Sequence, residues 1–150
     1  MGPEFSKTLF KIDNSRVIIE KFLPGLKCSQ IAKLCINSGS HGTITQALYF
    51  GKPSICIPHN VDQATFAKRI VEIGCGVDLV DYKSSSRDFG IWKKKAQHID
   101  ETQIINSVNF LLQNLSTYVK SCQKVCKEIR TYNEPTVKAL DLIEHFVKNF

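Results

Sequence analysis

The hexapeptide Ser38-Gly39-Ser40-His41-Gly42-Thr43 holds the residues whose types and spacing most directly permit chemistry. Two glycines three positions apart, set among small hydroxyl residues, let backbone N–H groups come close to an anion. Where such a turn opens a helix, the helix adds about half a positive charge at that point, and a diphosphate is the natural guest. The Thr43 hydroxyl can add a hydrogen bond to a phosphate oxygen. His41, inside the turn, either supplies positive charge when protonated or points to solvent. Gly39 and Gly42 also fit a purely structural need, the close packing of a helix on a sheet. A second constellation, Asp62-Gln63, pairs a carboxylate with an amide, which together accept from and donate to the vicinal hydroxyls of a sugar. Asp62 also fits the N-cap of a helix. His59, three residues before Asp62, can face the same sugar, whereas His98 and His145 have no chemical neighbour in sequence.

These groups need elements that hold them at one end of a sheet. Residues 16–22 read as a strand ended by Leu23-Pro24-Gly25, residues 28–33 as a short helix, and residues 34–37 as a second strand. The small-residue turn then leads into a helix over 44–50, with Gly51 as its left-handed terminator. Pro53 and Pro58 bracket an apolar strand at 54–57, of the kind found in parallel sheets covered on both faces. Asp62 opens a helix over 63–73 that Gly74 ends, and 77–80 is a fourth short strand. Residues 81–98 lose periodicity and read as a surface connection. Beyond them the chain reads as helical. Asp100 with Gln103 resembles a capping box before a helix over 104–114, Ser116 fits the cap of a second helix, and Pro135 fits the first turn of a third. The expected fold is α/β: an open parallel Rossmann-like sheet flanked by helices, with a helical C-terminal segment. In such a sheet the ligand crevice lies at the carboxyl ends of the strands, where the 38–43 turn falls.

Composition narrows the partners. The 150 residues suit one domain, and 43% hydrophobic with 23% charged residues is ordinary for a globular chain. The first five residues read as a cloning remnant, which leaves 6–150 as the domain. No apolar run approaches the ~18 residues of a membrane span, and cysteines that read as thiols of a reducing compartment suit a cytoplasmic protein, peripheral to a membrane if the full-length protein meets one. A net charge of +6 suits an anionic partner, or simply a lysine-rich solvated surface. Lys93-Lys94-Lys95 lacks interleaved aromatics beyond Trp92 and has no accompanying motif, so no nucleic-acid partner is expected. Six cysteines without a C-x-x-C pair read as buried free thiols. Cys122 and Cys126 lie one helical turn apart, with nothing nearby in sequence to complete a tetrahedral set, so no metal is expected.

Taken in order, the 38–43 turn, Ala47-Leu48, Gly51-Lys52-Pro53, Pro58, Asp62-Gln63, Ala67 and Gly74-Cys75-Gly76 resemble the donor-binding signature of UDP-glycosyltransferases, over roughly 17–80. The resemblance implies the C-terminal half of a GT-B fold, in which this domain holds a UDP-sugar and an N-terminal domain holds the acceptor. It implies a hexosyl transfer to a hydroxyl group, with UDP-sugar as co-substrate and no cofactor or Asp-x-Asp metal. It places the diphosphate on Ser38, Gly39, Ser40, His41, Gly42 and Thr43, the ribose on Gln46, and the donor sugar on Asp62 and Gln63, with His59 beside them. The general base belongs to the absent domain, so no catalytic residue falls in this chain and the fragment alone is expected to be inactive. Three positions depart from the pattern: Ser38 stands for a phosphate-contacting histidine, Ser40 for a glycine, and Gln46 for a ribose-binding glutamate. The Ser-Gly start also resembles lipid-linked N-acetylglucosaminyltransferases, which implies a lipid acceptor. The resemblance further implies a strand-helix-strand portion before Val17 that is absent here. An exposed sheet edge would follow, and with it a homodimer or a split-enzyme partner module without catalysis of its own.

Overall fold

A computed structural model of the chain describes residues 17–80, 99–131 and 135–149. Helix α1 (Gly25–Ile31) precedes strand β1 (Cys35–Asn37), helix α2 (His41–Tyr49), strand β2 (Ser54–Cys56), helix α3 (Val61–Glu72) and strand β3 (Gly76–Asp78). Helices α4 (Glu101–Gln113), α5 (Leu115–Thr131) and α6 (Pro135–Lys148) follow. The strands form one parallel sheet in the order β1-β2-β3, so α2 and α3 are its crossovers. The register sets Asn37 beside Cys56 and Cys56 beside Asp78, which aligns the carboxyl ends of all three strands. Among the described residues all three strands precede residue 79 and the elements after them are helices, as the sequence predicts.

Burial explains the strand compositions. Central β2 is buried along its whole length and reads as a continuous small-apolar run, the signature of a strand covered on both faces. Ile44 and Leu48 of α2, Ala67 and Ile70 of α3, and Cys56, Cys75 and Cys122 make the core. A Cβ on Gly76 would collide with the Ser54 carbonyl oxygen and lie 2.6 Å from the Ile70 Cγ2, so β3 can approach β2 and α3 only with glycine there. Helix α5 packs along α2 and completes the core with Cys122. It also holds the far end of α2: the Tyr49 carbonyl accepts from Arg130 Nη2 and from the Cys126 thiol, each at 3.0 Å, while the Arg130 guanidinium lies 4.8 Å from the Tyr49 ring centre.

Several boundaries differ from the sequence expectation. Residues 17–22 form no strand, and Ile18 and Phe22 are 75% and 82% exposed. A β-branched run is stable as a strand only when paired, and nothing pairs with it among the described residues. Helix α1 begins three residues earlier than expected, at Gly25, because the Pro24 carbonyl accepts the Cys28 N–H at 3.0 Å. Helix α2 also starts three residues early, at His41, so half of the small-residue turn is helical. Helix α3 is capped by Asn60 and not by Asp62: the Asn60 side chain accepts the Gln63 N–H at 2.9 Å and leaves Asp62 in the first turn. Strand β3 ends at Asp78, two residues short, and the Asp78 carboxylate accepts the Val80 N–H at 2.9 Å.

The capping box forms as expected, with Asp100 and Gln103 exchanging bonds of 2.8 and 3.0 Å, although α4 starts at Glu101 and not at 104. Ser116 is not a cap: α5 follows directly from Asn114, whose carbonyl accepts the Thr117 and Tyr118 N–H groups. Pro135 is the first residue of α6. The expected connection over 81–98 lies outside the described residues.

Candidate functional site

The turn between β1 and α2 is built by Asn37. Its Oδ1 accepts the Gly39 N–H at 2.8 Å, and its Nδ2 donates to Ser54 Oγ at 3.3 Å on the neighbouring strand. The Cys56 thiol points at the same Oδ1 from 3.9 Å. Burial, with the nearby Asp78 charge adding to it, pushes that thiol up to about 12, so it stays neutral and structural. Gly39 then takes φ +77°, a conformation that costs other residues about 1–2 kcal/mol. A Cβ there would stand 2.9 Å from the Gln63 carbonyl oxygen. The turn therefore rests directly on the first turn of α3, and the two stretches singled out from sequence are brought together in space.

Ser40 occupies the N-cap of α2 without a side-chain capping bond. Its hydroxyl lies 2.8 Å from that of Thr43, and Thr43 donates to the Ser40 carbonyl at 3.0 Å. Both hydroxyl protons are thus held within the turn. Among the described residues nothing accepts from the N–H groups of His41, Gly42 and Thr43, the orphan donors of a helix start. A Cβ on Gly42 would meet nothing within 4 Å. Packing therefore accounts for Gly39 and leaves Gly42 unexplained, although glycine within a helix costs about 1 kcal/mol relative to alanine. The surface over the bare end of α2 is open and lined by backbone donors.

The other expected residues surround this end. The His41 ring is exposed and tilts against Phe66 of α3, centroids 5.2 Å apart. Half-buried Ser38 has a hydroxyl without a partner among the described residues. Asp62 is exposed, and its carboxylate has no hydrogen bond or ion pair among the described residues. The Gln63 Oε1 accepts the His59 N–H at 2.7 Å, and the Gln63 NH₂ and the exposed His59 ring have no hydrogen bond among the described residues. Gln46 is set apart from this group: its Oε1 is 2.9 Å from where a Cβ on Gly25 would stand, against the start of α1. Sequence reasoning missed Asn37, Asn60 and Phe66. An asparagine directly after an apolar strand is the signal for the first, since its side chain mimics a turn.

No group of three or more His, Cys, Asp or Glu residues could hold a metal ion among the described residues. No helix among them is long and apolar enough to cross a membrane. The arrangement offers aligned backbone donors for a polyanion, with a carboxylate and an amide alongside for hydroxyl groups.

Residues 12–145 match the family model of the erythromycin biosynthesis protein CIII-like, C-terminal domain. The sterol 3-beta-glucosyltransferase of Pichia angusta is 25% identical over 111 residues, which cover 73% of this chain and 9% of that protein. Among solved structures, the kitacinnamycin glycotransferase superposes with a TM-score of 0.70 at 20% identity, covering 88% of this chain and 30% of that one. The spinosyn rhamnosyltransferase SpnG gives 0.65 at 20% identity, covering 86% and 31%. The chain thus spans about a third or less of the length of these relatives. It belongs to the erythromycin biosynthesis protein CIII-like C-terminal domain family of glycosyltransferases, and its fold is the C-terminal half of a GT-B enzyme.

Proposed function

We propose that this chain is the UDP-sugar-binding part of a glycosyltransferase that passes a hexosyl group to a hydroxyl acceptor held by an N-terminal domain outside the chain. The observation that carries the reading is the bare N-terminus of α2, with Gly42 facing open space and Gly39 seated on the start of α3. The N–H groups of His41, Gly42 and Thr43 bind the diphosphate, joined by the Ser38 hydroxyl and by Ser40 and Thr43 when their shared protons turn outward. Asp62, free of any capping duty, and the NH₂ of Gln63 take the sugar hydroxyls, with the His59 ring beside them. Gln46 binds ribose in place of a glutamate, along the α1 side of α2. The nucleophile-activating base belongs to the N-terminal domain, so the chain alone does not transfer sugar. The sterol named in the curated relative fits a lipid acceptor for the whole enzyme.

The test is a titration of the chain with UDP and UDP-sugars, following the amide resonances of Gly39, Gly42, Thr43 and Gln63, with an adenine nucleotide as control. Saturable, UDP-selective shifts are expected at all four. Equal response to the adenine nucleotide, or none at millimolar ligand, would refute the reading.

A second reading, a partner module of a split enzyme or a homodimer, draws on the sheet edge. Among the described residues strand β1 is an edge strand, its Ile36 is 49% exposed, and the N–H and C=O of Ile36 face away from β2. Sedimentation of the chain over a hundredfold concentration range tests it. Self-association weakened by Ile36→Lys supports this reading, and a monomer throughout removes the homodimer.

A further inference from the structure

Helix α5 passes over the loop between α3 and β3 at very short range. A Cβ on Gly74 would lie 3.8 Å from Ser121 Cβ and 3.3 Å from its Oγ. One residue further along each segment stand Cys75 and Cys122. Both are free thiols, wholly buried in the same core cluster. The Cys122 sulfur is 3.6 Å from the Cys75 carbonyl oxygen, and the Cys75 sulfur is 3.7 Å from the Ile73 carbonyl oxygen, so both sulfurs sit at the same junction.

We propose that Cys75 and Cys122 form a reversible disulfide when the protein meets a hydroperoxide, stapling α5 to the head of β3. The two thiols divide the chemistry between them. A hydrogen bond from Cys122 holds the Cys75 thiol below the ordinary cysteine range, whereas that contact and burial hold Cys122 above it. Cys75, in the loop just before β3 and not within a helix, is assigned as the attacking sulfur once the segment opens. Its thiolate takes one oxygen of hydrogen peroxide to give a sulfenic acid, releasing hydroxide, which recovers the thiol's proton as water. The Cys122 sulfur then displaces that oxygen, the S–S bond forms, and a second water leaves. Two thiols lose two electrons and two protons, and the peroxide receives them. Because both sulfurs are shielded, reaction follows local opening of α5 and is slow beside that of exposed thiols.

The staple closes a loop that includes β3 and α4, and it fixes the helix that holds Tyr49 at the end of α2. It acts on the scaffold and is independent of the donor-site reading. The test treats the reduced chain with hydrogen peroxide, blocks remaining thiols by alkylation, and maps tryptic peptides. The expected product joins peptide 70–83 to peptide 121–124 with loss of two hydrogens, reverts with dithiothreitol, and raises Tm by roughly 5 °C or more. Cys75→Ser and Cys122→Ala, each checked for folding by its urea midpoint, lose both the linkage and the rise in Tm. Recovery of both peptides fully alkylated after peroxide, or pairing of Cys122 with Cys126, would overturn the proposal.

Discussion

Gly39 and Gly42 look alike in sequence, yet a methyl group would meet very different surroundings at the two positions. At Gly39 it would face the Gln63 carbonyl at 2.9 Å on a backbone at φ +77°. At Gly42 it would face nothing within 4 Å. Gly39→Ala is therefore expected to cost about 2–3 kcal/mol of stability. Gly42→Ala is expected to leave stability unchanged or raise it by up to about 1 kcal/mol. Binding reverses the order of interest: a methyl group over the bare N–H groups of α2 lowers UDP affinity by about tenfold or more while the fold stays intact. Urea denaturation of both variants, with UDP titration of Gly42→Ala, checks the pair. A Gly42→Ala protein with unaltered affinity would argue that no ligand approaches this surface.

At the scale of elements, the two helices that frame the site begin differently. Helix α3 has a side-chain cap, Asn60, which takes the Gln63 N–H, and Gln63 Oε1 accepts the His59 N–H. Asn60→Ala is expected to cost about 1 kcal/mol and Asp62→Ala less than about 0.5 kcal/mol, because the latter removes only a first-turn charge. Thermal unfolding of the two variants measures the difference, and an Asp62 effect as large as that of Asn60 would contradict the capping assignment. The ends of helices were legible in the sequence where a residue type has one local use, as with Gly51 and Gly74 at positive φ and the Asp100/Gln103 box. The start of α3 was not legible, since Asn60 and Asp62 are both good caps and only the path of the chain from Pro58 selects one. Residues 17–22 misled for a related reason: β propensity is a local property, but pairing is not. The turn itself was legible from its small residues, whereas the support that Asn37 gives it depends on Ser54 and Cys56, which lie far away in sequence.

Of the six thiols, Cys56, Cys75 and Cys122 are buried while Cys28, Cys35 and Cys126 are only partly so, and Cys56 contributes a pH dependence of definite sign. Cys56 is held at about 12 against an ordinary 9.0, chiefly by burial and then by Asp78. The folded chain therefore keeps a proton that the unfolded chain releases. That contribution is complete below about pH 9 and is lost as pH rises toward 12. Urea midpoints should fall between pH 9 and pH 11, and Cys56→Ala should show a shallower fall; equal slopes would remove Cys56 as a source. Across the same molecule, α2 is finished at one end only. Arg130 and Cys126 satisfy its last carbonyl, and its first amides have no acceptors among the described residues. In electrical terms the negative pole of the helix is met by a guanidinium while the positive pole, about half a unit of charge, is left bare. Nine residues span about 13 Å, close to the Debye length of ~10 Å at 0.1 M salt. An anion arriving at the front of the helix in dilute buffer thus feels the arginine at its back, and at high salt it feels only the amides it touches.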